Sequence, residues 1–111
     1  MSFLNFFDMF DNYEERAVDH FEEGEIVIDT AAVTDSMQPF ETGVCHPNYN
    51  NGDWVIVEMY DTKEGAQRGH GKWVKKMTSK KLPTSIKDVS SATIANLGFS
   101  FNEEKRICKR K

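Results

Sequence analysis

The clearest signal in the chain is an alternation. In "DWVIVEMYD", residues 53–61, Val55, Val57 and Met59 share one face of a strand, and Trp54, Ile56, Glu58 and Tyr60 share the other. Both faces are largely apolar, which predicts a strand in the middle of a sheet. Three strands are expected before it. "ERAVDHFEEG" closes at Gly24, "EIVIDTAAVTD" is rich in β-branched residues, and "PFETGVCH" opens at Pro39. The period then changes. Ala66, His70, Trp73, Val74 and Met77 fall on one face of a helix running from Asp61 to Thr78, with Asp61 and Glu64 at capping-box spacing. Gly65, Gly69 and Gly71 lie inside it. Each costs roughly 1 kcal/mol against alanine, so the helix backbone is expected to approach the sheet closely.

The two ends read differently. Phe3, Phe6, Phe7 and Phe10 have the spacing of one helical face, which predicts an amphipathic helix over residues 1–12 with Ser2 as its cap. "TSKKLPTSIKD" is a polar loop, and "SSATIANLG" reads as a short helix stopped by Gly98. Residues 99–111 show no periodicity and form a basic tail, expected to be mobile. The reading is one α+β domain over residues 1–111, with its core in 13–98. A four-stranded, mainly antiparallel sheet packs on one main helix, with short terminal helices. The covered face is expected to hold Val55, Val57, Met59, Ala66, Trp73 and Met77.

Composition narrows the classes. The chain has 111 residues, room for a single core. An aromatic share of 12% argues against a disordered chain. The two cysteines, Cys45 and Cys108, are too few for a disulfide framework and fit a reducing compartment. No apolar run reaches the ~18 residues of a membrane span. The apolar N-terminus lacks a leading Lys or Arg and carries Asp8 and Asp11, so it does not read as a secretory signal.

Charge changes the picture more than composition does. The net charge of −4 conceals a strong polarity. Residues 1–61 hold 14 acidic residues against Arg16, a net of −13; residues 62–111 hold 4 acidic and 13 basic residues, a net of +9. Glu14, Glu15, Asp19, Glu22, Glu23 and Glu25 make a dense acidic run around the first hairpin. Lys72, Lys75, Lys76, Lys80 and Lys81 gather around the end of the helix. The first set is a candidate surface for a basic partner, the second for an acidic one. Each is equally a solvated face.

Few residues suggest chemistry. Cys45 and His46 are adjacent, so on a strand they point to opposite faces and serve poorly as metal ligands or as a nucleophile–base pair. Cys45 is expected to be a small buried side chain, and His46-Pro47 the end of the third strand. Asn51-Gly52 is expected to supply the positive φ values of a tight turn. Tyr49 and Asn50 in that loop, and Phe3 and Phe7 in the first helix, are candidate contact residues. Gly65-x5-Gly71-Lys72-Trp73 misses both the spacing and the hydroxyl of a phosphate-binding loop. No catalytic residue, metal ligand or cofactor is assigned.

The stretch "VTDSMQPFETGVCHPNYNNGDWVIVEMYDTKEGAQRGHGKWVKKMTS", residues 33–79, resembles a group of small tailed-phage proteins. The resemblance rests on "PFET", "HPNYNNGDWVIVEMYDT" and "GHGKWV", extends to "LPTSIKDVSSA", and covers Tyr13 to Ala95. It implies a small protein expressed in the cytoplasm of an infected bacterium, with virion association left open. It brings no activity and no site residues with it.

These readings converge on a non-enzymatic protein that binds a macromolecule of the infected cell and inhibits or modulates it. One alternative is an assembly component that self-associates through its opposite charges. Another sequesters a small molecule or nucleotide near Trp54, Tyr60 and Tyr49. A protein partner is expected, a homo-oligomer is compatible, nucleic acid is open to the basic half, and no membrane is expected.

Overall fold

A computed structural model describes residues 16–34, 38–90 and 107–111. Four strands form one antiparallel sheet in the order β1-β2-β3-β4: β1 Ala17–Glu23, β2 Ile26–Ala32, β3 Phe40–Cys45 and β4 Val55–Tyr60. Helix α1, Lys63–Met77, packs across one face of the sheet. A second, two-stranded antiparallel sheet joins β5, Ser85–Lys87, to β6, Ile107–Lys109. The protein is thus a small α+β domain, as the alternation predicts. The expected N-terminal helix, with Phe3 and Phe7, and the short helix ending at Gly98 fall on or run into residues outside those described. So do Glu14 and Glu15.

The core lies between the sheet and α1. Ile28, Val44, Val55, Val57, Trp73 and Met77 are buried there, joined by Tyr49 and Ile86. One expected core residue is exchanged for another. Between Thr42 and Gly43, β3 advances one residue while β4 passes from Glu58 to Ile56, so Val57 is the extra residue of a bulge. The bulge reverses the alternation beyond it. Tyr60, not Met59, therefore turns toward α1, and Glu58 turns with it. A similar shift between Ala17 and Asp19 makes Val18 the extra residue in β1.

β4 is also the last strand of its sheet, not a central one. Its outer edge takes a backbone bond from Val89 N–H to the Ile56 carbonyl at 2.8 Å.

α1 is capped by Thr62, one residue later than expected. Its extended backbone lets Oγ1 accept from Gly65 N–H at 3.0 Å. The Asp61 carboxylate is engaged elsewhere, accepting from the Gln38 amide at 3.0 Å.

The tail is not free at its end. β6 pairs residue for residue with β5, Arg110 N–H donates to the Thr84 carbonyl and Lys111 N–H to the Asn48 carbonyl, both at 2.8 Å. The anchor is the central pair, Ile86 and Cys108. Ile86 is buried and Cys108 packs against the core.

The glycines of α1 divide. A Cβ at Gly69 would lie 2.2 Å from the Tyr60 hydroxyl oxygen and 2.3 Å from Cε1, whereas one at Gly71 meets nothing within 4 Å. Close approach explains Gly69 and leaves Gly71 without a packing reason. Gly69→Ala should destabilise the fold by about 1–3 kcal/mol through overpacking. Gly71→Ala should stabilise it by about 1 kcal/mol through helix propensity. Urea denaturation of the two variants checks both signs.

Candidate functional site

Polar side chains, not only apolar ones, join α1 to the sheet. Thr30 on β2 and Thr42 on β3 face each other across the ladder, with their hydroxyls 2.6 Å apart. Both are fully buried. His70 of α1 places Nδ1 2.8 Å from the Thr30 hydroxyl, and the Tyr60 hydroxyl lies 3.0 Å from that of Thr42. Glu58 closes the row. Its carboxylate accepts from Lys72 Nζ at 2.8 Å and from Trp73 Nε1 at 3.1 Å, and the Tyr60 hydroxyl nearby helps to hold its charge.

Each hydroxyl of the row donates one proton and accepts another, so Thr30 and Thr42 link His70 to Tyr60 through two hydroxyls in series. The Nε2 of His70 faces Asp19 Oδ1 across 3.9 Å. Burial pushes the Tyr60 phenol far above its usual range. Burial would also raise Glu58, but the bonds from Lys72, Tyr60 and Trp73 outweigh it and hold the carboxyl low. His70 is held below its ordinary value by burial, against the pull of the Asp19 and Asp29 carboxylates.

Cys45 and His46 have separate structural tasks. The Cys45 thiol is half-buried and donates to the Gly52 carbonyl at 2.7 Å; burial, then the Asp53 charge, pushes its pKa up. A thiol held protonated is a poor nucleophile. His46 is buried against Tyr49 and accepts from Asn48 N–H through Nδ1 at 3.1 Å. Burial lowers its pKa, against the smaller pull of the Met77 carbonyl at the end of α1.

Tyr49 is not exposed as expected. It is 1% accessible, and its hydroxyl donates to the Pro83 carbonyl at 2.5 Å. Asn50 is exposed at the head of a 3-10 turn, Asn50–Gly52, and shares positive φ with Asn51 and Gly52. The left-handed run thus begins one residue earlier than the sequence indicates. Trp54 packs beside Gly43 on the face of the sheet away from α1, while Tyr60 lies under α1. The structure does not gather Trp54, Tyr60 and Tyr49 around one pocket.

The charged candidates stay on the surface. Asp19, Glu22, Glu23 and Glu25 are exposed along β1 and its turn. β1 is an end strand of the sheet, and β2 is its one strand partner among the described residues. His20 bonds Asp29 at 3.0 Å and Glu22 at 3.4 Å. Lys75, Lys80 and Lys81 are exposed. Lys72 is paired with Glu58, and Lys76 lies 4.7 Å over the ring of the buried Trp73. Among the described residues no three His, Cys, Asp or Glu side chains group as metal ligands, and no helix is long and apolar enough to cross a membrane.

Sequence reasoning named His70 and Tyr60 as packing residues and missed the row that joins them. No family model, curated protein or solved structure matches the chain.

Two outcomes follow for the buried row. Thr42→Val removes the hydroxyl that both Thr30 and Tyr60 bond, and should cost about 1–3 kcal/mol in equilibrium denaturation. Acid should act on His46 and His70. Both have folded values below the ordinary 6.5, so the unfolded chain binds protons first as pH falls below 6.5. Stability should therefore decline from pH 6.5 downward. The low value of Glu58 adds a further loss only below its ordinary 4.5. Denaturation curves between pH 8 and 4 give the profile. Gln at both histidine positions should flatten the slope between 6.5 and 4.5.

Proposed function

We propose that the chain is a non-enzymatic phage protein that binds a macromolecule in the cytoplasm of the infected bacterium and inhibits or modulates it. The observation that carries this reading is the acidic end strand. Asp19, Glu22, Glu23 and Glu25 are exposed along β1 and its turn, and β1 is an end strand of the main sheet among the described residues. Fixed negative charge of this kind complements a basic groove in a partner and steers its approach.

The groups with catalytic chemistry support the same reading. Cys45, His70 and Tyr60 each join two parts of the fold through hydrogen bonds, and His46 is packed against Tyr49. The resemblance to small tailed-phage proteins supports the setting.

Self-association is the second reading. It is favoured by the position of the small basic sheet beside β4, while the acidic strand β1 lies at the other side of the main sheet. Opposite charges on opposite edges suit a head-to-tail contact.

Affinity purification of the tagged protein from infected cells across a salt series separates the two. One stoichiometric protein other than the chain itself should be retained at low salt. It should be lost with Glu22→Lys/Glu23→Lys/Glu25→Lys. Recovery of only further copies of the chain would support self-association, and binding that the reversal leaves unchanged would remove the acidic strand from the interface.

A further inference from the structure

The docked tail gathers cations that lie far apart in the sequence. Arg110 donates from Nη1 to the Leu82 carbonyl at 2.9 Å, which brings it beside Lys81. β6 runs along β5 so that Lys109 opposes Ser85 and Ile107 opposes Lys87. Since Ile86 and Cys108 turn inward, Lys87 and Lys109 share the outer face of this small sheet. Lys111 is tied to the Asn48 loop through its backbone. Lys80, Lys81, Lys87, Lys109, Arg110 and Lys111 are all exposed. Three segments thus contribute to one cationic surface. Asp88, near Cys108, is a carboxylate within reach of it.

We propose that this surface binds the phosphate backbone of a nucleic acid without reading its sequence. Like charges held together repel, and an ordered backbone keeps these from spreading apart. A polyanion relieves that repulsion and releases counterions. Tyr49 beneath the patch is buried, and among the described residues no large aromatic side chain is exposed for a base to stack on. The contacts proposed for this surface are therefore to phosphate. The acidic strand does not oppose this. β1 is separated from β4 by the width of the sheet, about 14 Å at ~4.8 Å per strand. That exceeds the Debye length of about 10 Å at moderate salt.

Fluorescence anisotropy of the whole protein with a labelled single-stranded DNA, its duplex and a scrambled duplex tests the assignment. Binding should be equal for both duplexes, and log K should fall against log salt with a slope of about −4.5 for five phosphates. Lys80→Glu/Lys81→Glu and Lys109→Glu/Lys111→Glu should each weaken binding by about tenfold or more, with unchanged Tm. No binding to any of the three DNAs at low salt overturns the proposal. Loss with the tail variant alone overturns the single surface, leaving the tail as an independent arm. Preference for polyglutamate over DNA overturns the nucleic acid in favour of an acidic protein.

Discussion

The structure depends on a buried row of hydrogen bonds between the sheet and the helix. Thr30, Thr42, Tyr60 and His70 lie where a sheet and a helix would ordinarily meet through apolar side chains. Each would cost more than it contributes if it lost its partner. Thr30 and Thr42 prevent that, because a hydroxyl both donates and accepts and each of them touches two members of the row. The row spans β2, β3, β4 and α1, so it sets the position of the helix along the sheet more sharply than apolar packing alone does. Gly69 belongs to the same constraint, because only a residue without a side chain lets the helix come down onto Tyr60.

From that fixed helix the rest of the fold follows outward. The end of α1 meets the end of β3, where His46 lies near the Met77 carbonyl. The loop that follows turns Tyr49 inward, and the phenol catches the Pro83 carbonyl. This holds the segment leading into β5, and β5 in turn receives β6. The loop is therefore a relay between the main sheet and the small one. Its unusual backbone, positive φ at Asn50, Asn51 and Gly52, is what lets so short a stretch carry a buried tyrosine.

The sequence displayed the elements better than their faces. Four strands and the helix follow from period alone, because burial on one side imposes that period. A bulge adds one residue and leaves no mark in the pattern, so Met59 and Tyr60 exchange roles unseen. β6 is three residues long, too short for any period, and its pairing depends on Ile86 some twenty residues earlier. The buried row was hidden for another reason. Threonine, tyrosine and histidine are ambivalent residues, and only their meeting in space shows that they are satisfied together. One trace was visible in advance. A glycine next to a histidine on the buried face of a helix marks a close approach with a polar group beside it.

The charge polarity survives folding because of topology. The main sheet is a meander, so spatial order repeats sequence order from β1 to β4, and β5 continues beside β4. A gradient written along the chain becomes a gradient across the molecule. A crossover connection would have interleaved early and late strands and mixed acid with base. Here the acidic strand and the basic small sheet end on opposite sides, with the neutralising pair Lys72 and Glu58 between them at the helix. The groups with reactive chemistry are absorbed into the fold, and the charges remain outside. Among the described residues the fold therefore presents two surfaces of opposite sign, kept apart by the width of the sheet.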